Sequence, residues 1–162
     1  MIVNHQRRIA IPLRELNKFL ARVGRRLRLQ KHTLTVCFVT DAQIARWNRA
    51  YRGKNGATDV LSFPTNGSAD KRKRGKSQPR RKSNFYPGRD SNSTESRAYL
   101  GDIAIAPAVA QRNARRFGRA LADEMRILIL HGVLHLMGYD HETDEGQMDR
   151  LEHRLRRELG FA

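Results

Sequence analysis

Three of the chain's six histidines stand within eleven residues, in the stretch HGVLHLMGYDH at positions 131–141. On a helix, His131 and His135 lie one turn apart, so both imidazoles leave the same face about 6 Å from each other. That separation suits two ring nitrogens converging on one cation. Gly138 can take the left-handed conformation that ends a helix and turns the chain back. His141 follows three residues later, where it can approach the first pair from the side. Three neutral imidazoles leave the fourth position of a tetrahedral Zn2+ open, the arrangement of catalytic rather than closed structural sites. An ion so held is a Lewis acid and brings the pKa of bound water near neutrality. A hydrogen-bonded core histidine explains one His on an apolar helix, but it is a poor account of three in this pattern. His5, His32 and His153 lack the spacing, and structural or solvated roles suffice for them.

The full spacing, H-x-x-x-H-x-x-G-x-x-H, matches the ligand framework of the metzincin proteases, H-E-x-x-H-x-x-G-x-x-H. One position departs. The protease motif has Glu after the first His as general base, whereas this chain has Gly132, which can neither take nor give a proton. Peptide hydrolysis by that route should be severely impaired. Phosphodiester cleavage tolerates the loss better, because a metal and cationic side chains can carry most of the electrostatic stabilisation.

The charge points the same way. Lys and Arg number 32 against 16 Asp and Glu, a formal +16. An excess of this size favours a polyanionic partner, nucleic acid or an anionic membrane. Membrane binding needs a basic helix with a bulky apolar face to spare, and here the apolar stripes are needed for a core. A GC-rich gene that substitutes Arg for other polar residues would produce the same excess with no partner at all. At 162 residues the chain has the length of one domain with a real core, read here as a single metal-dependent hydrolase domain over 1–162. The single cysteine, Cys37, excludes an internal disulfide and suits a reducing compartment. With no long apolar run and no signal pattern after Met1, the expectation is a soluble, unexported, cytoplasmic protein.

The elements that must position the histidines follow from periodicity. A short strand near Ile2 precedes Pro12, after which Leu13, Leu16, Leu20, Val23 and Leu27 recur at helical spacing. HTLTVCFVT alternates, with Leu34, Val36 and Phe38 on one face of a strand. Asp41 can cap a helix that turns Ile44, Trp47 and Tyr51 inward. The turn-rich YRGKNGATD leads to the strand VLSF, stopped by Pro64. LGDIAIA is a further strand, and Pro107 opens another helix. ADEMRILILHGVLHLMG is apolar around most of its circumference, which predicts a deeply buried helix carrying the histidines. The last helix sets Met148, Leu151, Leu155 and Leu159 on one stripe and ends at Gly160. Residues 66–98 hold ten Lys or Arg against three Asp or Glu and almost no aliphatic side chains. Such a segment cannot offset its ordering entropy, so a disordered basic insertion is expected there, either gripping RNA phosphates or serving as a solvated tether. The sum is an α/β fold of the α+β type. It has about four short strands in a mixed sheet and about five helices, the central one carrying the metal site.

Three blocks carry a resemblance. HGVLHLMGYDH, YRGKNGATDVLSFP at 51–64 and LGDIAI at 100–105 resemble, in order, the HGxLHLxGYDH, YRGKxxxTxVLSFP and LGDIxI blocks of the YbeY family. These are bacterial single-strand-specific metallo-endoribonucleases, also called rRNA maturation factors. Together the blocks cover most of the chain outside 66–98. The resemblance implies that His131, His135 and His141 bind one Zn2+ per chain. It also implies that Arg52 lies near the metal and is important for activity; a guanidinium there could clamp a scissile phosphate. It further implies rRNA and the small ribosomal subunit as partners, with work on the 3′ end of the small-subunit rRNA and in ribosome quality control. Asp59 and Asp102 are candidates for outer-sphere support of the metal or for the missing base, and Asp140, beside His141, for orienting a ligand. Plain structural roles compete at the first two. Three functions are thus in view: a zinc-dependent endoribonuclease, a non-catalytic ribosome-assembly or RNA-binding factor with structural zinc, and a zinc protease that Gly132 argues against.

Overall fold

The apolar start of the chain, Ile2–Asn4 (β1), pairs in parallel with His32–Phe38 (β2), the first step of a mixed sheet. The computed structural model describes residues 1–65 and 98–161, and Val60–Pro64 (β3) and Ala98–Ile105 (β4) complete that sheet. The order across it is β1-β2-β4-β3, with β4 parallel to β2 and β3 antiparallel to β4. Among the described residues the helices are Leu13–Arg26 (α1), Asp41–Arg52 (α2), Pro107–Arg116 (α3), Leu121–Leu136 (α4) and Gln147–Leu159 (α5). The expected architecture of four short strands and five helices holds. The basic insertion anticipated at 66–98 lies outside the described residues, except that Ala98 opens β4. Among the described residues, no helix is long and apolar enough to cross a membrane.

Alternation along β2 divides the core. Leu34, Val36 and Phe38 face one way, as expected, and join Ile103 and Ile105 of β4 against α1, α4 and α5. Cys37 and Val39 face the other way and pack with Leu61, Ala104 and Ala106 beneath Ile44 of α2. A strand inside a parallel pairing is covered on both faces, so both registers of β2 carry buried side chains. Helix α4 lies on the first face, touching β3, β4, α1, α3 and α5. It buries eight large apolar side chains: Met125, Ile127, Leu128, Ile129, Leu130, Val133, Leu134 and Leu136. Each contributes about 1.5–3 kcal/mol relative to exposure, which is why this helix is a stiff platform.

Several local expectations are corrected. The cap of α2 is Thr40, whose hydroxyl accepts from the Gln43 N–H at 3.3 Å; Asp41 is the first helical residue and pairs with Arg112. Tyr51 does not face inward but is 50% exposed, and the residue buried one turn after Ile44 is Asn48. Trp47 and Phe63 pack edge-to-face at 6.1 Å, with Trp47 only half-buried. On α1 the stripe is centred on Leu16, Phe19 and Val23, and Leu13 sits at its edge. Phe19, which the leucine spacing overlooked, packs edge-on against Phe161 at 5.0 Å.

Candidate metal centre

The last turns of α4 place His131 and His135 on one side, and the chain then reverses sharply. Gly138 takes φ +94°, in the left-handed region that suits glycine. The Gly138 N–H donates to the His135 carbonyl at 3.0 Å and the Tyr139 N–H to Leu134 at 3.1 Å. This pair of bonds is the Schellman closure of a helix. Asp140 then holds a tight turn, its Oδ1 accepting from the Glu142 N–H at 3.1 Å and its carbonyl from Thr143 and Asp144. Asp144 in turn accepts from the backbone N–H groups of Gly146, Gln147 and Met148 and so anchors the start of α5. The loop is thus tied to α4 at one end and to the start of α5 at the other, which sets where His141 returns.

The three imidazoles converge. Ring centroids stand 4.6 Å apart for His131–His135, and 5.2 Å from each of these to His141. One donor atom from each lies within 4.8 Å of the others. The Nε2 atoms of His131 and His135 are 3.1 Å apart. Two nitrogens on a tetrahedral ion at about 2.0–2.1 Å would be separated by about 3.3 Å, so the donor set fits a small cation of the zinc type. His135 donates its Nδ1 proton to the Tyr139 carbonyl at 2.9 Å, since a carbonyl can only accept. That tautomer leaves a lone pair on Nε2, facing the cluster. Burial, followed by the neighbouring His131 and His141, lowers the His135 pKa from 6.5, against the opposing Tyr139 bond and Asp140 charge. A neutral ring is the form that can ligate.

The other anticipated residues divide. Arg52 ends α2, and its Nη2 reaches Glu142 Oε1 at 2.9 Å, which brings the guanidinium beside the loop that carries His141. Asp140 shapes that loop. The Glu142 N–H bond is the main cause of its lowered pKa, with lesser help from His135 and His141. Asp59 and Asp102 do not stand behind the histidines. Asp59 accepts from the Val60 N–H and the Thr58 hydroxyl and from Asn113 of α3, the work of a turn residue. Asp102 is in register with Thr35 and Phe63, while its neighbour Ile103 packs under Gly132. Alternation therefore puts Asp102 on the face turned away from α4, where the Tyr99 hydroxyl donates to it.

One side chain in contact with the cluster escaped the sequence reading. Glu152 on α5 is 6% exposed, and its Oε2 lies 2.9 Å from His131 Nδ1. The buried side of α5 runs Met148, Glu152, Leu155, Leu159, with Leu151 only half-buried. A carboxylate inside an apolar stripe was the available signal. Burial raises the Glu152 pKa, but the His131 bond and the Arg156 guanidinium outweigh it and hold the carboxyl below its ordinary value.

Gly132 proves to be more than a missing base. A Cβ there would stand 2.7 Å from Ile103 Cγ2, so α4 rests directly on β4 at this point. The Ser62 hydroxyl on β3 lies 3.4 Å from the Gly132 carbonyl and ties the helix to the edge strand.

With this geometry in hand, comparison with known proteins becomes specific. The family model for endoribonuclease YbeY matches residues 1–160. The chain belongs to the YbeY family. An endoribonuclease YbeY from Solibacter usitatus is 42% identical over 121 residues, 75% of this chain and 62% of that protein. The chain thus spans less than two thirds of that relative's length. One from Koribacter versatilis is 34% identical over 161 residues, covering 98% of this chain and 85% of the relative. The solution structure of TM1509 from Thermotoga maritima superposes with a TM-score of 0.58 at 23% identity. It covers 98% of this chain and 89% of that one, a likeness of fold. The YbeY match bears out the resemblance that the three sequence blocks carried.

Proposed function

We propose that this chain is a single-domain, zinc-dependent endoribonuclease that cuts single-stranded RNA in the cytoplasm. Its work is rRNA processing, including maturation of the small-subunit rRNA 3′ end, together with ribosome quality control. The observation that carries the reading is the convergence of His131, His135 and His141 on one point, with Arg52 bonded to Glu142, the residue after His141. His131, His135 and His141 would hold one Zn2+, which supplies a Lewis acid with an open side. Arg52 binds the scissile phosphate: its fork of N–H donors exchanges Glu142 for two phosphate oxygens and stabilises charge as it develops there. The exchange costs little, because the Arg52–Glu142 pair is 41% and 59% exposed and such pairs contribute about 0–1 kcal/mol. The formal +16 of the chain draws RNA toward the site and makes binding weaken with salt.

The full chain should contain about one equivalent of zinc and cleave a single-stranded RNA oligonucleotide. The His135→Ala variant should lose both. Arg52→Ala should keep the metal and lose cleavage. Cleavage that survives loss of the histidines overturns the proposal.

A second reading, a ribosome-assembly or RNA-binding factor with structural zinc, is favoured by one observation. Among the described residues, the group of donors that could hold a metal contains three histidines and no carboxylate, and Gly132 packs on Ile103 where a protease carries its base. Unchanged rRNA ends in cells carrying Arg52→Ala would select it.

A further inference from the structure

Helix α5 carries none of the three histidines, yet it reaches the centre through one side chain. Glu152 projects from the stripe that docks α5 on the core, between Met148 and Leu155, which are 0% and 1% exposed. A carboxylate in such surroundings costs several kcal/mol unless both oxygens are engaged. Both are. Oε2 meets His131 Nδ1 at 2.9 Å, and Oε1 accepts from Nη2 of Arg156, one turn further along the helix. An ionised carboxylate can only accept, so His131 carries its proton on Nδ1. Its Nε2 is then a lone pair, 3.1 Å from His135 Nε2 and turned toward the cluster.

The three histidines are not held alike. His135 takes its orientation from the Tyr139 carbonyl, inside the helix-ending turn. Among the described residues, His131 is the member of the cluster whose ring nitrogen meets a charged side chain. Arg156 engages the carboxylate oxygen that His131 does not use. Hydrogen bonding of this kind behind a metal-ligating imidazole fixes its tautomer and plane and raises its basicity.

We propose that Glu152, braced by Arg156, is a positioning residue of the metal centre. It fixes His131 with Nδ1 protonated and Nε2 presented to the cation, and so couples metal affinity to the docking of α5. The proposal rests on the reading of the three histidines as a metal centre.

The test is zinc titration of the full chain against a chromophoric chelator, with nitrogen NMR of the His131 ring in metal-free protein. Glu152→Ala should weaken zinc binding about 10- to 100-fold, the usual effect of losing such a partner. Glu152→Gln should fall between, because the amide oxygen can still accept the Nδ1 proton. The Ala variant leaves the half-buried Arg156 without its carboxylate partner and so invites unfolding. The double variant E152L/R156M removes both charges together, a change that buried pairs often tolerate. It should fold, bind zinc as weakly as Glu152→Ala, and show His131 shifted toward the Nε2-protonated tautomer. A folded E152L/R156M with wild-type zinc affinity and an unchanged His131 tautomer overturns the proposal. His131→Ala separates the two failures: wild-type zinc affinity in that variant overturns the metal-centre reading itself.

Discussion

Gly132 offers the sharpest test of how the fold serves the site. The helix that carries His131 and His135 meets β4 at this residue, where a Cβ would lie 2.7, 3.0 and 3.1 Å from three carbons of Ile103. Carbon atoms in contact prefer about 3.5–4.0 Å, so Gly132→Ala must move helix and strand apart by up to about 1 Å. Ile103 is 0% exposed and has nowhere to retreat. Overpacking of this kind costs about 1–3 kcal/mol. Alanine returns about 1 kcal/mol through its better helix propensity. The net expectation is a loss of about 1 kcal/mol, or about 2–4 °C in Tm for a chain of this size. The strain should act mainly through Ile103, which a double-mutant cycle can show. Ile103→Ala alone should cost about 2–5 kcal/mol. In that background the collision is gone, so Gly132→Ala should reverse sign and stabilise by up to about 1 kcal/mol. Urea denaturation of the four proteins reads this directly. Additive effects, or a Gly132→Ala protein more stable than the parent, would refute the close-approach argument. The same geometry bears on chemistry. Gly132→Glu restores the protease motif on paper, yet it aims a carboxylate at Ile103 rather than at the histidines. Metal-dependent caseinolysis by that variant would refute the point.

Two further expectations follow from the loop and the rings. Gly138→Ala forces a Cβ into the left-handed region at φ +94°, at a cost of about 1–2 kcal/mol. Because that turn returns His141, zinc affinity should fall along with thermal stability; a folded variant with wild-type zinc affinity would contradict the role of the reversal. Metal-free protein should also lose stability as the pH falls through about 6.5. His135 has a folded pKa below 6.5, so in that window the unfolded chain binds more protons and gains at the folded state's expense. This contribution is fully present above the window, and in His135→Asn the slope should flatten when followed by denaturant melts across the range. A metal-free stability that rises on acidification there would overturn the assignment.

Local patterns were legible wherever a residue's job depends on its chain neighbours. The His131–His135 spacing is a property of helical geometry, and Gly138 announces its reversal because few other residues accept that backbone conformation. The periodicities of α1, α4 and α5 located those helices for the same reason. Tyr51 was misjudged because helical periodicity does not say which flank of α2 meets the sheet; Asn48 lies on the buried side and Tyr51 on the rim. Phe19 was missed because the leucines around it already completed a stripe.

The sequence by itself determined which histidines share a spacing suited to one cation, the glycine that reverses the chain before His141, the absence of a base at Gly132 and a charge that suits a polyanion. Only the tertiary structure decided which carboxylate stands behind a histidine. Asp59 and Asp102 are spent elsewhere, one on a turn and the other on the far face of β4. Glu152 reaches His131 because α5 docks onto α4 across a shared apolar core. Contacts between elements depend on packing, and packing is settled by the whole core rather than by any run of residues within it.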